Sequence, residues 1–133
     1  MSDQLAVRTS RLQNAGNGLF ALQSFGAGDV VCVYHGDILT TREALQVEDK
    51  SYLMRLGKGV YIDARDHPDV IARYINDCRS KGVHNVAFEK DPIKKRAIVR
   101  AIRPIAPNEE LYVNYGTWYW LAYNMTHKEN PIK

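Results

Sequence analysis

The sequence predicts a single domain that is mostly β-structure, with a few short helices. Turns rich in glycine, asparagine and proline recur along the chain and separate short runs of β-branched and aromatic residues, which is the pattern of many short strands. The 133 residues suit one domain, in which roughly two thirds of the unfolded surface can be buried. No internal repeat, linker or low-complexity segment divides the chain.

The first third of the chain supplies three extended segments. We expect a strand at residues 5–12, followed by an Asn-Ala-Gly-Asn-Gly turn at residues 14–18, because asparagine and glycine tolerate positive φ. Residues 19–21 return to extended structure before a second glycine turn. Val30–Tyr34 has the β-branched content of a buried strand.

A short helix is predicted at residues 40–47. Thr40 and Glu43 form a capping-box pair, in which each side chain satisfies a free backbone N–H of the other. Two short extended runs follow, at residues 52–56 and Val60–Asp63, on either side of a Gly-Lys-Gly turn.

The second half of the chain reads as a hairpin followed by an aromatic segment. Pro68 is expected to open a single turn through Ile71, residues 86–88 and 97–102 to form a hairpin, and residues 111–115 to form the last strand. Six of the 13 aromatic residues fall within residues 112–123. Large rings dominate packing where they cluster, so we expect them to wall a site.

The cysteine content and the hydropathy of the chain limit the classes of protein to which it can belong. Cys32 and Cys78 match no disulfide framework and no zinc-ligand spacing, so we expect a reducing compartment and no metal. The N-terminus lacks the charged and apolar regions of a signal peptide, and no apolar run approaches the roughly 18 residues that cross a membrane. The expected location is nuclear or cytoplasmic, without a membrane contact.

The formal net charge of +3 is unevenly distributed. Basic residues concentrate in one stretch with few acids, whereas acidic residues concentrate between Asp29 and Asp49, a segment suited to receiving a basic peptide. The basic stretch fits a solvated hairpin with guarded edges best, and the alternative is a contact with nucleic-acid phosphates or nucleosomal DNA. Its residues are Arg79, Lys81, Lys90, Lys94, Lys95, Arg96 and Arg100.

Four separated pieces carry the chemistry when they are taken together. They are the Gly-Asn-Gly-Leu-Phe-Ala run at residues 16–21, Tyr-His-Gly at 34–36, Arg-Tyr-Ile-Asn-Asp-Cys at 73–78 with Asn85 downstream, and Glu-Glu-Leu-Tyr-Val-Asn-Tyr-Gly at 109–116. A lone Gly-x-Gly without a third glycine and a parallel sheet is no dinucleotide loop. The order and spacing of all four resemble the SET domain of protein lysine methyltransferases, over residues 5–120 of a single domain 1–133.

This resemblance implies a fold, a cofactor and a reaction. The fold is the β-clip of several small sheets, in which residues 73–78 pack against the C-terminal strand in a pseudoknot. The cofactor is S-adenosylmethionine, with S-adenosylhomocysteine as product, and the activity is protein lysine N-methylation. Family members bind cofactor and substrate lysine on opposite faces, joined by a narrow aromatic channel. Histone tails, of H3 or H4, are the leading substrates, with non-histone proteins as the alternative.

Carried over position by position, the resemblance assigns four groups of residues. Tyr115 and Tyr34 are the catalytic positions, and Asn85 and Asp63 are structural. The cofactor-binding positions are Gly16, Asn17, Gly18, Leu19, Arg73, Tyr74, Asn76, Asp77 and Tyr115. The substrate-channel positions are Tyr52, Phe88, Val113, Trp118 and Tyr119.

The expected chemistry matches these residue types. Methyl transfer needs a neutral amine, and a free lysine with a pKa of about 10.4 is almost entirely charged at pH 7, so burial among rings beside a cationic sulfonium must disfavour the ammonium form. We expect Tyr115 to orient the methyl group and Tyr34 to help place the amine. Phe88 and Val113 are non-polar at channel-wall positions, which predicts di- or trimethylation.

The chain departs from the family pattern in two places. It reads Asn76-Asp77 where the family usually reads Asn-His, which changes the bracing and adds a negative charge near a cationic ligand. It also lacks the cysteine-rich flanks that complete the lysine channel in many members. The C-terminal tail at residues 117–133 either closes the channel instead or forms core or a homodimer seam through its rings. Those rings are Trp118, Tyr119, Trp120 and Tyr123.

Two rival interpretations belong to other classes. One is a SET-like module that binds a peptide or cofactor without turnover because Asp77 has removed catalysis. The other is a nucleic-acid-binding protein that uses its basic stretch, which predicts salt-sensitive DNA binding.

Overall fold

The computed structural model describes residues 4–80, 82–116 and 119. Across these residues the chain forms short strands, one α-helix and one 3₁₀-helix, so the predicted mostly β class is confirmed. The strands are β1 (Leu5–Thr9), β2 (Asn17–Ala21), β3 (Val30–Tyr34), β4 (Asp37–Leu39), β5 (Leu53–Gly57), β6 (Val60–Asp63), β7 (Val86–Asp91) and β8 (Arg96–Ala101). The helices are α1 (Thr41–Gln46) and the 3₁₀-helix Ile71–Tyr74.

The strands form three small antiparallel sheets. β1 pairs with β2, β3 and β7 flank β8, and β4 and β5 flank β6. β5 and β7 are therefore edge strands of two different sheets, and they lie close to each other. Residues of these two edge strands form one wall of the candidate site.

Helix α1 begins where the sequence predicts. The Thr40 side chain accepts a hydrogen bond from the Glu43 backbone N–H at 3.2 Å, and the Glu43 carboxylate accepts from the Thr40 N–H at 2.9 Å. The helix buries only Ala44, against Leu53 and Tyr61 in a small cluster beside the main core. So short a helix depends on this cap and this packing.

Three elements differ from what the sequence predicts. The predicted last strand at residues 111–115 makes only isolated bridges, Asn76 with Tyr112 and Val86 with Val113. The predicted turn after Pro68 is followed by the 3₁₀-helix, which begins at Ile71 instead of ending there. Strand β4 was missed, and its three residues are held by pairing with β6.

The C-terminal segment runs through the middle of the molecule. The Leu111 N–H donates to the Leu19 carbonyl at 2.8 Å, the Val113 N–H to the Asn76 carbonyl at 3.0 Å, and the Val86 N–H to the Tyr112 carbonyl at 3.2 Å. Leu111 and Val113 are fully buried. The segment thus packs between residues 76 and 86, as the resemblance predicts, and carries Tyr115 out of the core toward the surface.

Candidate active site

Two cavities meet where the C-terminal segment leaves the core. The larger is a cleft of about 650 Å³, lined by residues 12–17, 51, 52, 73, 74, 76–79, 115 and 119. The smaller has a volume of about 180 Å³ and is lined by residues 34, 51, 53–55, 73, 75, 88, 90, 115, 116 and 119. Ser51, Arg73, Tyr115 and Tyr119 line both cavities, so a group bound in one can touch a group bound in the other.

Aromatic rings form the walls of the smaller cavity. The rings of Tyr34 and Phe88 meet edge to face with centroids 5.8 Å apart, and those of Tyr115 and Tyr119 lie 4.2 Å apart. Such pairs hold each other's orientation beyond simple area burial. The Tyr119 hydroxyl donates to the Ser51 carbonyl at 2.7 Å, which joins the C-terminal tail to the segment before β5. The cavity is thus a narrow aromatic channel.

The hydroxyl group of each predicted catalytic tyrosine donates a hydrogen bond to a backbone carbonyl. Tyr34 donates to the Tyr52 carbonyl at 2.6 Å, and Tyr115 donates to the Ile75 carbonyl. Burial, together with nearby tyrosines, raises the pKa of Tyr34 and of Tyr115 well above the ordinary value. Both therefore stay neutral, and each oxygen keeps lone pairs that can accept from a bound group.

A glycine and asparagine turn forms one side of the larger cleft. Asn14 and Gly16 adopt positive φ, at 64° and 72°, which lets the chain reverse within a few residues. The Asn76 side-chain amide donates to the Asn17 carbonyl at 2.9 Å. This contact fixes the turn against the segment that follows the 3₁₀-helix.

A buried carboxylate anchors the same turn from behind. Glu110 is 1% exposed and accepts from the Ser10 hydroxyl at 2.6 Å, the Arg11 backbone N–H at 2.9 Å and the Tyr112 hydroxyl at 2.9 Å. Its oxygen also lies 3.5 Å from the Asn76 amide nitrogen. The chain's last described segment therefore positions its first turn. Sequence analysis gave Glu110 no role, although an acid directly before Leu111 in an apolar run was a usable signal.

Arg73 lies at the junction of the two cavities. Its guanidinium stacks over the rings of Tyr52 and Tyr74, 4.5 and 4.8 Å from their centroids, and donates to the carbonyls of Ala64 and Arg65 at 3.1 and 2.7 Å. Its Nε is buried without a hydrogen-bond partner. A buried donor left without a partner is costly.

Asp77, the departure from the family pattern, is held by three donors. Its carboxylate accepts from the Arg79 backbone N–H at 2.7 Å, the Tyr115 backbone N–H at 3.0 Å and the ring Nε2 of His84 at 2.8 Å. The carboxylate therefore ties the segment after the 3₁₀-helix directly to Tyr115.

The structure brings most of the predicted site residues together and leaves a few apart. Leu19 and Val113 are fully buried in the core and line neither cavity, and Gly18 faces Glu110. Tyr52 lines the larger cleft instead of the narrow channel. Trp118, like the other tail rings at residues 120 and 123, lies outside the described residues.

Sequence analysis missed several residues that line the narrow channel, including Ser51, Met54, Arg55 and Lys90. Nothing in their sequence neighbourhood marks them, because β5, with the segment before it, meets β7 only in the folded protein. Burial and the nearby Arg55 charge lower the pKa of Lys90, because both disfavour its charged form.

This fold and this pair of joined cavities match a known family. The SET-domain family model matches residues 16–116, which is most of the chain. The protein therefore belongs to the SET-domain family, the class of protein lysine methyltransferases that use S-adenosylmethionine. No helix in the described part of the chain is long and apolar enough to cross a membrane.

Curated relatives carry corresponding names. The chain is 35% identical over 132 residues to the N-lysine methyltransferase KMT5A-A of Danio rerio, covering 87% of this chain and 36% of that protein. It is 31% identical over 106 residues to an H3 lysine-4 specific histone-lysine N-methyltransferase of Kluyveromyces lactis, covering 74% of this chain and 10% of that protein. The chain thus spans about a third or less of the length of these relatives.

Solved structures agree with the fold. A humanized mutant of the Chaetomium thermophilum Polycomb Repressive Complex 2 bound to the inhibitor GSK126 has a TM-score of 0.70 and 26% identity, over 87% of this chain and 15% of that one. An autoinhibited form of ctPRC2 bound to S-adenosylmethionine has a TM-score of 0.68 and 26% identity, with the same coverage.

The larger cleft fits S-adenosylmethionine by its donor set. The cofactor has an amino-acid end with a carboxylate and an ammonium group, and the cleft is lined by the polar residues Arg73, Asn76 and Asp77. The glycine turn at residue 16 has no side chain to keep a ligand away from its backbone. A cleft volume of about 650 Å³ also lies within the usual range for ligands of this size.

Proposed function

We propose that this protein is an S-adenosylmethionine-dependent protein lysine N-methyltransferase that acts on histone tails. The observation that carries the proposal is the junction of a polar cleft and a narrow aromatic channel at Tyr115 and Tyr119. This geometry suits a reaction between two ligands that enter from opposite sides. A binding module needs one cavity, not two that share a wall.

The chain's own residues would prepare the lysine amine. The channel walls are aromatic and aliphatic, and Arg73 lines the channel as a fixed positive charge. Both features disfavour an ammonium ion and favour the neutral amine. The hydroxyl oxygens of Tyr34 and Tyr115 can then accept from the amine, which holds its lone pair in one direction.

Bound S-adenosylmethionine supplies an electrophilic methyl group. Tyr115 lines both cavities, so its hydroxyl oxygen can contact the methyl hydrogens through weak C–H···O interactions. The hydroxyl is itself fixed by its bond to the Ile75 carbonyl. Positioning of this kind can supply on the order of 7–11 kcal/mol of a barrier, and it requires no general base.

The channel's shape bears on the number of methyl groups transferred. Phe88 packs its ring against Tyr34 and carries no hydroxyl, so it neither anchors a water molecule nor occupies the space beside the amine. We therefore propose that the enzyme proceeds to di- or trimethyl-lysine. Phe88→Tyr would restrict the product to monomethyl-lysine, whereas the wild type would form higher products, as mass spectrometry of reacted peptides can measure. A wild type that stops at one methyl group at long times contradicts this proposal.

Histone tails are supported as substrates by the names of the relatives, several of which are H3 lysine-4 specific enzymes. Tails of H3 or H4 on nucleosomes suit a nuclear enzyme, and the basic residues between Arg79 and Arg100 would contact DNA. A homodimer through the tail rings belongs to the same proposal, whereas a cytoplasmic location belongs to the alternative of a non-histone substrate. The basic side chains of Arg55 and Lys90 line the channel, which favours the alternative, a non-histone substrate with acidic residues beside its lysine.

The decisive experiment is transfer of labelled methyl groups to core histones. Tyr115→Phe removes the hydroxyl and keeps the ring against Tyr119, so kcat should fall by about 100-fold or more, in line with a lost positioning contact. Tyr61→Phe is the matched control, because Tyr61 is a buried tyrosine in the small cluster beside α1, and its activity should match the wild type.

Other outcomes separate the rival functions. If the wild type transfers to no lysine-rich protein yet binds peptide, the chain is a binding module. If it binds DNA in a salt-sensitive way and has no affinity for S-adenosylhomocysteine, it is a nucleic-acid-binding protein.

A further inference from the structure

Asp77 and His84 form a buried pair beside the junction of the two cavities. Their side chains are 2% and 8% exposed, and the His84 Nε2 lies 2.8 Å from an Asp77 carboxylate oxygen. His84 lines neither cavity, whereas Asp77 lines the larger cleft. The side chain of His84 therefore acts on the site through its contact with the Asp77 carboxylate.

The hydrogen-bond pattern fixes the role of each group in the pair. An ionised carboxylate only accepts, so the histidine nitrogen that faces it must carry the hydrogen. The same Asp77 oxygen accepts from the Arg79 N–H, while the second oxygen accepts from the Tyr115 N–H at 3.0 Å. One carboxylate thus spans from the histidine ring to the backbone of the tyrosine.

The histidine end of the pair is anchored independently of Asp77. The next residue, Asn85, is 1% exposed and donates its amide to the Glu109 carboxylate and the Glu110 carbonyl, both at 2.9 Å. It also accepts from the Tyr112 N–H at 2.8 Å. His84 is therefore fixed to the same C-terminal segment that carries Tyr115.

Tyr115 is consequently held at both ends. Its backbone N–H donates to Asp77, and its hydroxyl donates to the Ile75 carbonyl. Removing either bond would let the ring swing relative to the channel. Displacement of a reacting group by about 1 Å can cost about 100-fold in rate.

We propose that His84 and Asp77 act as a positioning pair, in which the histidine orients the carboxylate that holds the backbone of Tyr115. The inference rests on the proposed function, because it assigns Tyr115 a place in the reaction. It also gives Asp77 a role opposite to that of an inactivating substitution. His84 is a positioning residue and does not touch the reacting groups.

The test compares two substitutions of His84 in the full chain. His84→Gln keeps an N–H donor of similar reach, whereas His84→Leu keeps the bulk and removes the donor. We expect His84→Leu to lower kcat by about tenfold to 100-fold with little change in KM for the peptide, and His84→Gln to stay within threefold of the wild type. If His84→Leu keeps wild-type kcat, or His84→Gln loses as much activity as His84→Leu, the proposal is wrong.

A second readout does not depend on turnover. Amide hydrogen exchange at Tyr115 reports its bond to Asp77, so His84→Leu should speed exchange at that amide while Val113, whose N–H donates to the Asn76 carbonyl, stays protected. Unchanged protection of Tyr115 would overturn the pairing whether or not the protein is an enzyme. A wild type that neither binds S-adenosylhomocysteine nor transfers methyl groups would instead overturn the proposed function.

Discussion

A single methyl group added at Gly18 should push directly into the buried Glu110 carboxylate. A Cβ at this position would lie 2.3 Å from Oε2 of Glu110 and 3.2 Å from the Cβ of Ser10. The carboxylate cannot easily retreat, because it is buried and holds three short hydrogen bonds. Gly18→Ala is therefore a probe of the contact that joins the C-terminal segment to the first turn.

The expected loss of stability follows from these contacts. Overpacking of this kind costs about 1–3 kcal/mol, and hydrogen bonds to a charged acceptor contribute about 1.5–3 kcal/mol each. Because Ser10 and Tyr112 can turn partly to water, we expect a net loss of about 3 kcal/mol for Gly18→Ala. For a domain of this size that loss corresponds to a fall in Tm of about 10 °C.

A double-mutant cycle isolates the contact. Glu110→Ala alone should cost about 3 kcal/mol, since it leaves the donors of the network unpaired. Adding Gly18→Ala to that background should cost almost nothing, because the obstructing carboxylate is gone and alanine restricts the unfolded chain. The two changes should therefore show a coupling free energy of about 3 kcal/mol.

Equilibrium urea unfolding measures each free energy in the cycle. Gly82→Ala is the control, because a Cβ at Gly82 would meet nothing within 4 Å, and its stability should stay within about 0.5 kcal/mol of the wild type. If the effects of Gly18→Ala and Glu110→Ala simply add, the proposed conflict between the two groups does not exist.

Further expectations follow from other close contacts and from buried titratable groups. Gly36→Ala would place a Cβ 2.4 Å from the Asp63 carbonyl oxygen, which is backbone and cannot move aside, so it should cost more than about 2 kcal/mol in urea unfolding while Gly82→Ala does not. Burial and a hydrogen bond to a carboxylate raise the pKa of Tyr112 from 10.0 to about 12. The folded state keeps that proton longer than the unfolded state, so wild-type stability should fall between pH 10 and 12, and Tyr112→Phe should fall less. Burial raises the pKa of Cys32 to about 12, so at pH 8 its alkylation should be far slower in the folded protein than in urea, as mass spectrometry can measure.

Local chemistry decided which elements the sequence could predict. The side chains of Thr40 and Glu43 cap each other's backbone N–H groups within three residues, so the start of α1 was predicted where it is observed. Val30–Tyr34 carries its β-branched residues within five positions, so β3 was also predicted where it is observed. The segment at residues 111–115 has an equally strong strand signal but makes only isolated bridges. Its backbone N–H and C=O groups bond to two separate segments of the chain instead of to one partner strand. No local pattern reports that kind of pairing.

The residues of the candidate site also fall into two groups, those that a sequence pattern marks and those that only the folded structure brings together. Tyr34, Asn76 and Tyr115 lie in runs whose order resembles a family, and the structure brings them to the two joined cavities. Arg55 and Lys90 come from edge strands of different sheets, and only tertiary contact brings them together. Val113 was assigned to the channel by its place in the sequence, but its side chain is fully buried in the core together with that of Leu111, two residues earlier on the same face of the extended segment.

The late position of the C-terminal segment in the chain has a consequence for synthesis. Glu110, Val113 and Tyr115 bond to residues that leave the ribosome 35 to 100 positions earlier, which gives the domain a high contact order and a slow folding step. A nascent chain that ends before residue 109 has its first turn and its 3₁₀-helix but neither the buried carboxylate nor the tyrosine. It would therefore leave the cofactor cleft unassembled, and cofactor binding would report that translation has passed this point.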